Sequence, residues 1–303
     1  MSFLTHRQEK LNLFIEKVIK PKEYILRVTC PDRFGVVAKV SACLNESELF
    51  ILESAHFGDP DTNKFFMRVK VISPNKNFKY NSFKQKFSSI AKELKIEWTL
   101  TDAEFKPKTA IFVSKYSHCL QDLLYRESVG SLPIDIKCII SNHQDLRKIA
   151  KSYEIPYHFI DMKKKSKKDS EDKINKILIK EQVELNILAR YMQILSKKFV
   201  NKHYGNIINI HHSFLPSFKG AKPYQQAYSK GVKILGATAH YVSSDLDEGP
   251  IIEQTVDRIN HSMTPKEMEI TGRDIESITL AKAVKYHVEQ RIFLNGNKTV
   301  IFN

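Results

Sequence analysis

Thr109-Ala110-Ile111-Phe112-Val113 is a short run without charge, glycine or proline, and four of its five residues are apolar. An apolar run of this length with no polar alternation fits a strand buried on both faces, as in a parallel sheet. Downstream, Ile134–Ile140, Pro156–Ile160, Val183–Leu188 and Asn206–Ile210 read as further strands, with helical stretches such as Lys173–Ile179 between them. Strands alternating with helices predict an α/β unit with a doubly wound, mostly parallel, Rossmann-like sheet. Such sheets bind ligands outside the carboxyl ends of their strands. Val232–Val242 and Pro250–Val256 read instead as a hairpin-like pair. A long helix is predicted from Thr264, with Pro265 at its first position and Glu267 completing a capping box. Gly272 is expected to interrupt that helix and Asn295-Gly296 to end it.

Upstream the grammar differs. Tyr24–Cys30 alternates as a strand should, and Val36, Val37, Val40 and Leu44 follow at helical spacing. Leu49–Phe57 and the Phe65–Val71 stretch are strands around the turn Gly58-Asp59-Pro60-Asp61. Phe83, Phe87, Ile90 and Leu94 form one helix face, and Ile96, Trp98 and Leu100 a last strand. The order β-α-β-β-α-β is the ferredoxin-like unit. The expected organisation is an N-terminal extension (1–21), a ferredoxin-like domain (22–102), a linker (103–108) and the α/β domain (109–303).

The bulk numbers suit a soluble protein of about two domains: 303 residues, 42% hydrophobic and 27% charged. No run reaches the roughly 18 apolar residues of a membrane span, and the first residues lack the apolar core of a secretory signal. Cys30, Cys43, Cys119 and Cys138 form no C-x-x-C pair, which fits reduced thiols in the cytoplasm. The net charge of +14 is spread along the chain except at Lys163, Lys164, Lys165, Lys167 and Lys168. Composition explains it best, an acidic small-molecule substrate next and nucleic acid least, so neither a nucleic-acid nor a membrane partner is expected.

Candidate chemistry sits where Asn206–Ile210 runs into His211 and His212. Alternation puts Asn209 and His211 on one side and Ile210 and His212 on the other. An amide N–H can hold a developing oxyanion and an imidazole can move a proton near neutral pH. The turn Ser244–Pro250 could bring a carboxylate beside the imidazole. No His or Cys spacing suggests a metal, no G-x-S-x-G suggests a serine nucleophile, and no G-x-G-x-x-G follows Ala110–Val113, which argues against a dinucleotide cofactor.

Two stretches, Asn209–Gly220 and Gly236–Val242 followed by Asp245-Leu246-Asp247-Glu248-Gly249-Pro250-Ile251-Ile252, resemble the folate-dependent formyltransferase superfamily. His211-His212, Ser114–Leu120 and Ile140–His143 resemble its deformylase branch, and residues 24–72 resemble the ACT domain preceding the catalytic domain there. The resemblance implies hydrolysis of 10-formyltetrahydrofolate to tetrahydrofolate and formate, in one-carbon and purine metabolism, with no cofactor beyond the folate substrate. It places the catalytic set on Asn209, His211 and Asp247. Substrate contacts would fall on Arg190, Met192, Gln193 and Leu195 of the pterin loop, and on His212 and Gly249. An ACT domain implies an amino-acid effector, such as glycine or methionine, near Asp32, Arg33, Phe34 and Gly35, and a homo-oligomer paired through these domains. Asn45-Glu46-Ser47-Glu48-Leu49 departs from the glycine and asparagine usual at that turn. The rival readings are a formyltransferase with an amine acceptor and a non-catalytic folate or amino-acid sensor. Against the first, Ser114–His118 lacks the glycines that cradle an acceptor's phosphate in glycinamide ribonucleotide formyltransferase.

Overall fold

The computed structural model describes residues 21–73, 78–162, 166–215 and 223–303. The expected N-terminal arm and Lys163–Lys165 lie outside them. The chain divides after Phe105 into two compact units.

The first unit runs β1 (Lys22–Pro31), α1 (Val36–Glu46), β2 (Phe50–Asp59), β3 (Lys64–Ser73), α2 (Tyr80–Leu94) and β4 (Glu97–Asp102). Its four-stranded sheet has the order β2-β3-β1-β4, every neighbour antiparallel. Alternation along β1 and β3 turns Leu26, Val28, Met67, Val69 and Val71 toward one face. There they meet Val36, Val40 and Leu44 of α1 and Phe83, Phe87 and Leu94 of α2 in a single core. The turn after α1 closes without glycine. Glu48 takes a left-handed φ of 55°. The Leu49 N–H then reaches the Leu44 carbonyl at 3.0 Å and the Glu48 N–H the Asn45 carbonyl at 3.0 Å, a Schellman closure.

The second unit contains β5 (Lys108–Val113), α3 (His118–Ser128), β6 (Asp135–Ser141), α4 (Arg147–Ser152), β7 (Tyr157–Phe159), α5 (Lys167–Lys180), β8 (Leu185–Leu188), α6 (Lys197–Lys202) and β9 (Ile207–His211). It continues with α7 (Pro223–Lys230), β10 (Ile234–Tyr241), β11 (Ile251–Arg258), α8 (Pro265–Val288), β12 (Ile292–Asn295) and β13 (Lys298–Ile301). Lys108, expected in the linker, is already in β5. Seven strands form one sheet in the order β11-β10-β9-β8-β5-β6-β7. β5 to β9 pair in parallel, and β10 and β11 add the expected antiparallel hairpin. Ile111 and Val113 of β5 join a core containing Leu120, Leu124 and α8's Leu280 and Val284. Ala110 and Phe112 join another containing Ile174, Leu178 and Phe199. One strand thus carries two opposite cores, as its unbroken apolar run requires.

The capping box at Thr264 forms: its hydroxyl accepts from the Glu267 N–H, and the Glu267 carboxylate accepts from the Thr264 N–H. Two expectations about α8 are overturned. Gly272 does not interrupt it; the helix passes through and ends at Val288. Helical hydrogen bonding continues through a glycine at a cost of only about 1 kcal/mol, and the missing side chain makes room for the Tyr224 ring and hydroxyl. Nor does Asn295-Gly296 end the helix; it turns the small hairpin β12–β13, where Gly296 has a φ of 61°.

Gly272→Ala is therefore expected to destabilise the protein by about 1–3 kcal/mol through overpacking against Tyr224, although alanine is the better helix former. Chemical denaturation checks this; an unchanged or raised midpoint would show that Tyr224 moves aside freely.

Candidate active site

The carboxyl end of β9 carries the site. Asn209 and His211 lie one side-chain period apart, and antiparallel pairing with β10 sets Asn209 opposite His240 and His211 opposite Thr238. His240 is 2% exposed. Its Nδ1 lies 2.9 Å from the Tyr241 carbonyl, which can only accept, so the proton sits on Nδ1. Nε2 is left to accept from the Asn209 amide at 3.2 Å. That assignment needs a neutral ring, and burial pushes the His240 pKa down. With one amide hydrogen engaged, the second remains for a ligand in the cleft that Asn209 lines.

Asp247 closes the group from the loop between β10 and β11. Its carboxylate is 3.3 Å from His211 Nδ1 and 3.8 Å from His240 Nε2. The hydrogen bond from His211 holds its pKa below the ordinary carboxylate value, against the opposing effect of burial. Asp247 is therefore ionised across the neutral range. It adopts a left-handed φ of 57°, a strained conformation that Asp tolerates better than most residues. Gly249 sits buried behind it, where any side chain would collide with the Tyr241 carbonyl. A register shift between Ala239 and His240 marks the same part of the hairpin, a common device for re-aiming side chains beside a site.

His212 departs from the expected alternation. β9 ends at His211, so the strand's two-residue period no longer governs the next side chain. The His212 ring instead stacks on His211 at 4.8 Å and lines the same cleft. Burial, then the Arg190 charge and His211, push its pKa down to about 4. The backbone that follows is tied to β10: Thr238 Oγ1 donates to the Ser213 carbonyl at 3.0 Å and accepts from the Leu215 N–H at 3.1 Å. Pro216–Gly220, the rest of this motif, lies outside the described residues.

The cleft encloses about 280 Å³. Asn209, His211, His212 and Asp247 line it together with Arg190, Met192, Gln193 and Leu195. Gly249 does not; its place is structural. Arg190 carries a left-handed φ of 63° and its Nε stands 3.5 Å from Glu276 of α8. Glu276 is buried and also accepts from Tyr224 at 2.8 Å and lies 2.6 Å from His118 Nε2. Burial alone would raise the Glu276 pKa, but the His118 hydrogen bond and the Arg190 charge outweigh it and hold it low. His118, Cys119 and Glu276 offer ligand atoms within 4.8 Å of one another. The Glu276 oxygens are already engaged, and burial pushes the Cys119 thiol up, so the trio reads as a charge cluster rather than a metal centre. His240, His118 and Glu276 had no role in the sequence reading. His240 and His118 stood inside quoted motifs, but only the strand register sets His240 beside Asn209, and only the packing of α8 sets Glu276 beside His118 and Arg190.

In the first unit, Asp32, Arg33, Phe34 and Gly35 are all exposed at the start of α1. Gly35 is its N-cap with a φ of 84°, and no side chain caps the helix.

The formyl transferase family matches residues 107–284. The formyltetrahydrofolate deformylase of Bacillus subtilis is 43% identical over 279 residues, which cover 92% of this chain and 93% of that one. The crystal structure of the formyltetrahydrofolate deformylase from Burkholderia mallei superposes with a TM-score of 0.89 at 42% identity, covering 93% of this chain and all of that one. A phosphoribosylglycinamide formyltransferase from Anaplasma phagocytophilum matches 66% of this chain and 96% of its own, at 33% identity and a TM-score of 0.60.

Because folding lowers their pKa values, His212 and His240 bind fewer protons in the native state than in the unfolded chain, whose histidines titrate near about 6.5. Their contribution to stability is complete above that pH and is lost as pH falls through their lowered values, about 4 for His212. NMR titration of His212 should show a neutral ring at pH 5.5; a midpoint near about 6.5 would remove the shielding described for it.

Proposed function

Since the chain belongs to the formyl transferase family, and within it to the formyltetrahydrofolate deformylases, we propose that the cleft at the end of β9 is where it hydrolyses 10-formyltetrahydrofolate to tetrahydrofolate and formate. The observation that carries this reading is the linked set of Asn209, His240, His211 and Asp247 on one wall of one cleft. In this mechanism the formyl oxygen takes the free amide hydrogen of Asn209. As water attacks and the carbon becomes tetrahedral, that bond strengthens, an effect worth about 3–4 kcal/mol of barrier for one such donor. Asp247, ionised and bonded to His211, orients the water and holds the imidazole for proton transfer. The water oxygen bonds to the formyl carbon and the carbon–N10 bond breaks. The proton released by water reaches N10 through His211, giving formate and tetrahydrofolate. His240 is a positioning residue: it holds the Asn209 amide with a hydrogen facing the cleft. Met192, Gln193 and Leu195 line the cleft and offer contacts for the folate ring system, with Arg190 and His212 at their border. The reaction needs no group beyond the folate and water.

We further propose that residues 22–102 regulate and residues 109–303 catalyse. An amino-acid carboxylate would be received by the uncapped N–H groups at the start of α1, next to Asp32–Gly35. Glu48 supplies the left-handed turn that glycine or asparagine usually provides, so the departure at Asn45–Leu49 leaves the α1 ends formed. Pairing of ferredoxin-like units between copies would couple that ligand to the catalytic cleft. The cytoplasm is the proposed location: the four cysteines are free and buried. No helix among the described residues is long and apolar enough to cross a membrane.

Asp247→Asn should lower turnover by at least about 100-fold, the scale of lost acid–base assistance, because neither the water nor His211 is then held, while folate affinity stays within a few-fold. Steady-state formate release with substrate binding measured in parallel checks this; turnover within threefold of wild type would take Asp247 out of the mechanism.

A further inference from the structure

The seven-stranded sheet changes direction between β5 and β8. From β5 the chain winds one way through β6 and β7, then crosses over and winds the other way through β8 and β9. The loops leaving β5 and β8, residues 114–118 and 189–195, therefore part to opposite sides, and in open α/β sheets this is where a ligand crevice opens. In this chain the protein's own groups hold that place. The Ser114 hydroxyl accepts from the Met192 N–H at 3.0 Å, stitching the two loops together. Two guanidinium groups, those of Arg190 and Arg273, each lie 5.2 Å from the centre of the Tyr116 ring. Arg190 in turn joins buried Glu276, whose carboxylate lies 2.6 Å from His118 Nε2 and accepts from Tyr224 at 2.8 Å and from Arg190 Nη1 at 3.5 Å.

We propose that the cluster of Tyr116, His118, Arg190 and Glu276 is a specificity element that excludes amines as formyl acceptors and leaves water as the nucleophile. The inference rests on the hydrolytic reading above and assigns a part of it to residues outside the catalytic set. An amine attacking the formyl carbon needs an acceptor for its N–H hydrogens to aim its lone pair. Glu276 is a buried carboxylate held against Arg190, which lines the cleft, and a carboxylate has about four lone-pair sites. His118, Tyr224 and Arg190 Nη1 take three of them, and the side chain is buried. Arg190 also lines the cleft itself, so a cation faces any ammonium group that enters. Water needs neither group, because Asp247 serves it from the opposite loop. Opening the cluster would allow a second reaction at the same carbon. The amine nitrogen bonds to the formyl carbon, the carbon–N10 bond breaks, and the proton lost by the amine passes to N10.

The test uses the full chain with 10-formyltetrahydrofolate and hydroxylamine, which is uncharged at pH 8, and measures formohydroxamate against formate. Wild type should give formate with hydroxamate at the level of the enzyme-free control. The double variant Tyr116→Gly, His118→Ala should raise the hydroxamate-to-formate ratio at least about tenfold, a difference of about 1.4 kcal/mol between the two transition states. Its Asn209, His211 and Asp247 are untouched, so formate release should continue. A folded variant that releases formate at the wild-type ratio overturns the inference, as does a wild type that already makes hydroxamate. If the double variant does not fold, His118→Ala alone, which frees one side of Glu276, is judged by the same ratio. A wild type that releases neither product would instead overturn the hydrolytic reading on which the inference stands.

Discussion

The contact on which the catalytic wall depends is the hydrogen bond between the Asn209 amide and His240 Nε2. A side-chain amide can rotate, and either end can face a ligand. Here the choice is made one strand away. The Tyr241 carbonyl takes the proton of His240 Nδ1, and burial keeps the ring neutral. Nε2 must then accept, and only the nitrogen end of Asn209 can satisfy it. The orientation of the polar group at the front of the cleft is thus dictated by a backbone carbonyl behind it, through two hydrogen bonds. Asp247 works beside this arrangement from a loop whose close turn requires glycine at position 249.

Most of the architecture was legible because the apolar patterns are clean. The alternation in β1 and β3 and the unbroken run in β5 each correspond to a definite burial: one core in the first unit, two in the second. Thr264-Pro265 with Glu267 marked the start of α8 to the residue. The end of that helix was misread because Gly272 was treated as a local signal. Its reason is tertiary, the ring of Tyr224 48 positions away in the chain, and no window along the sequence contains it. Asn295-Gly296 was a genuine turn signal attached to the wrong element.

The site divides along the same line. Asn209, His211 and Asp247 stand in recognisable motifs, and the structure brings all three into one cleft with Arg190, Met192, Gln193 and Leu195. His212 was placed on the wrong side because strand alternation was carried one residue past the strand's end. Gly249 was read as a substrate contact because it stands in the motif, whereas its position reflects a backbone approach. His118 stood in a quoted stretch without a role and Glu276 in none; they are 158 positions apart and meet only when α8 packs across the sheet.

The hairpin of β10 and β11 has a consequence for how activity emerges. It is the antiparallel edge of an otherwise parallel sheet, and it brings His240 beside Asn209 and suspends Asp247 in its connecting loop. The strand that carries both Asn209 and His211 also pairs with β8, but that pairing alone would leave the amide unoriented and the carboxylate absent. Competence therefore requires β10 to be paired with β9. The hairpin also belongs to the second unit's core, through Leu235, Ala237, Ala239, Tyr241 and Ile252, so opening it would cost packing and activity together, and inactivation should track unfolding of this unit.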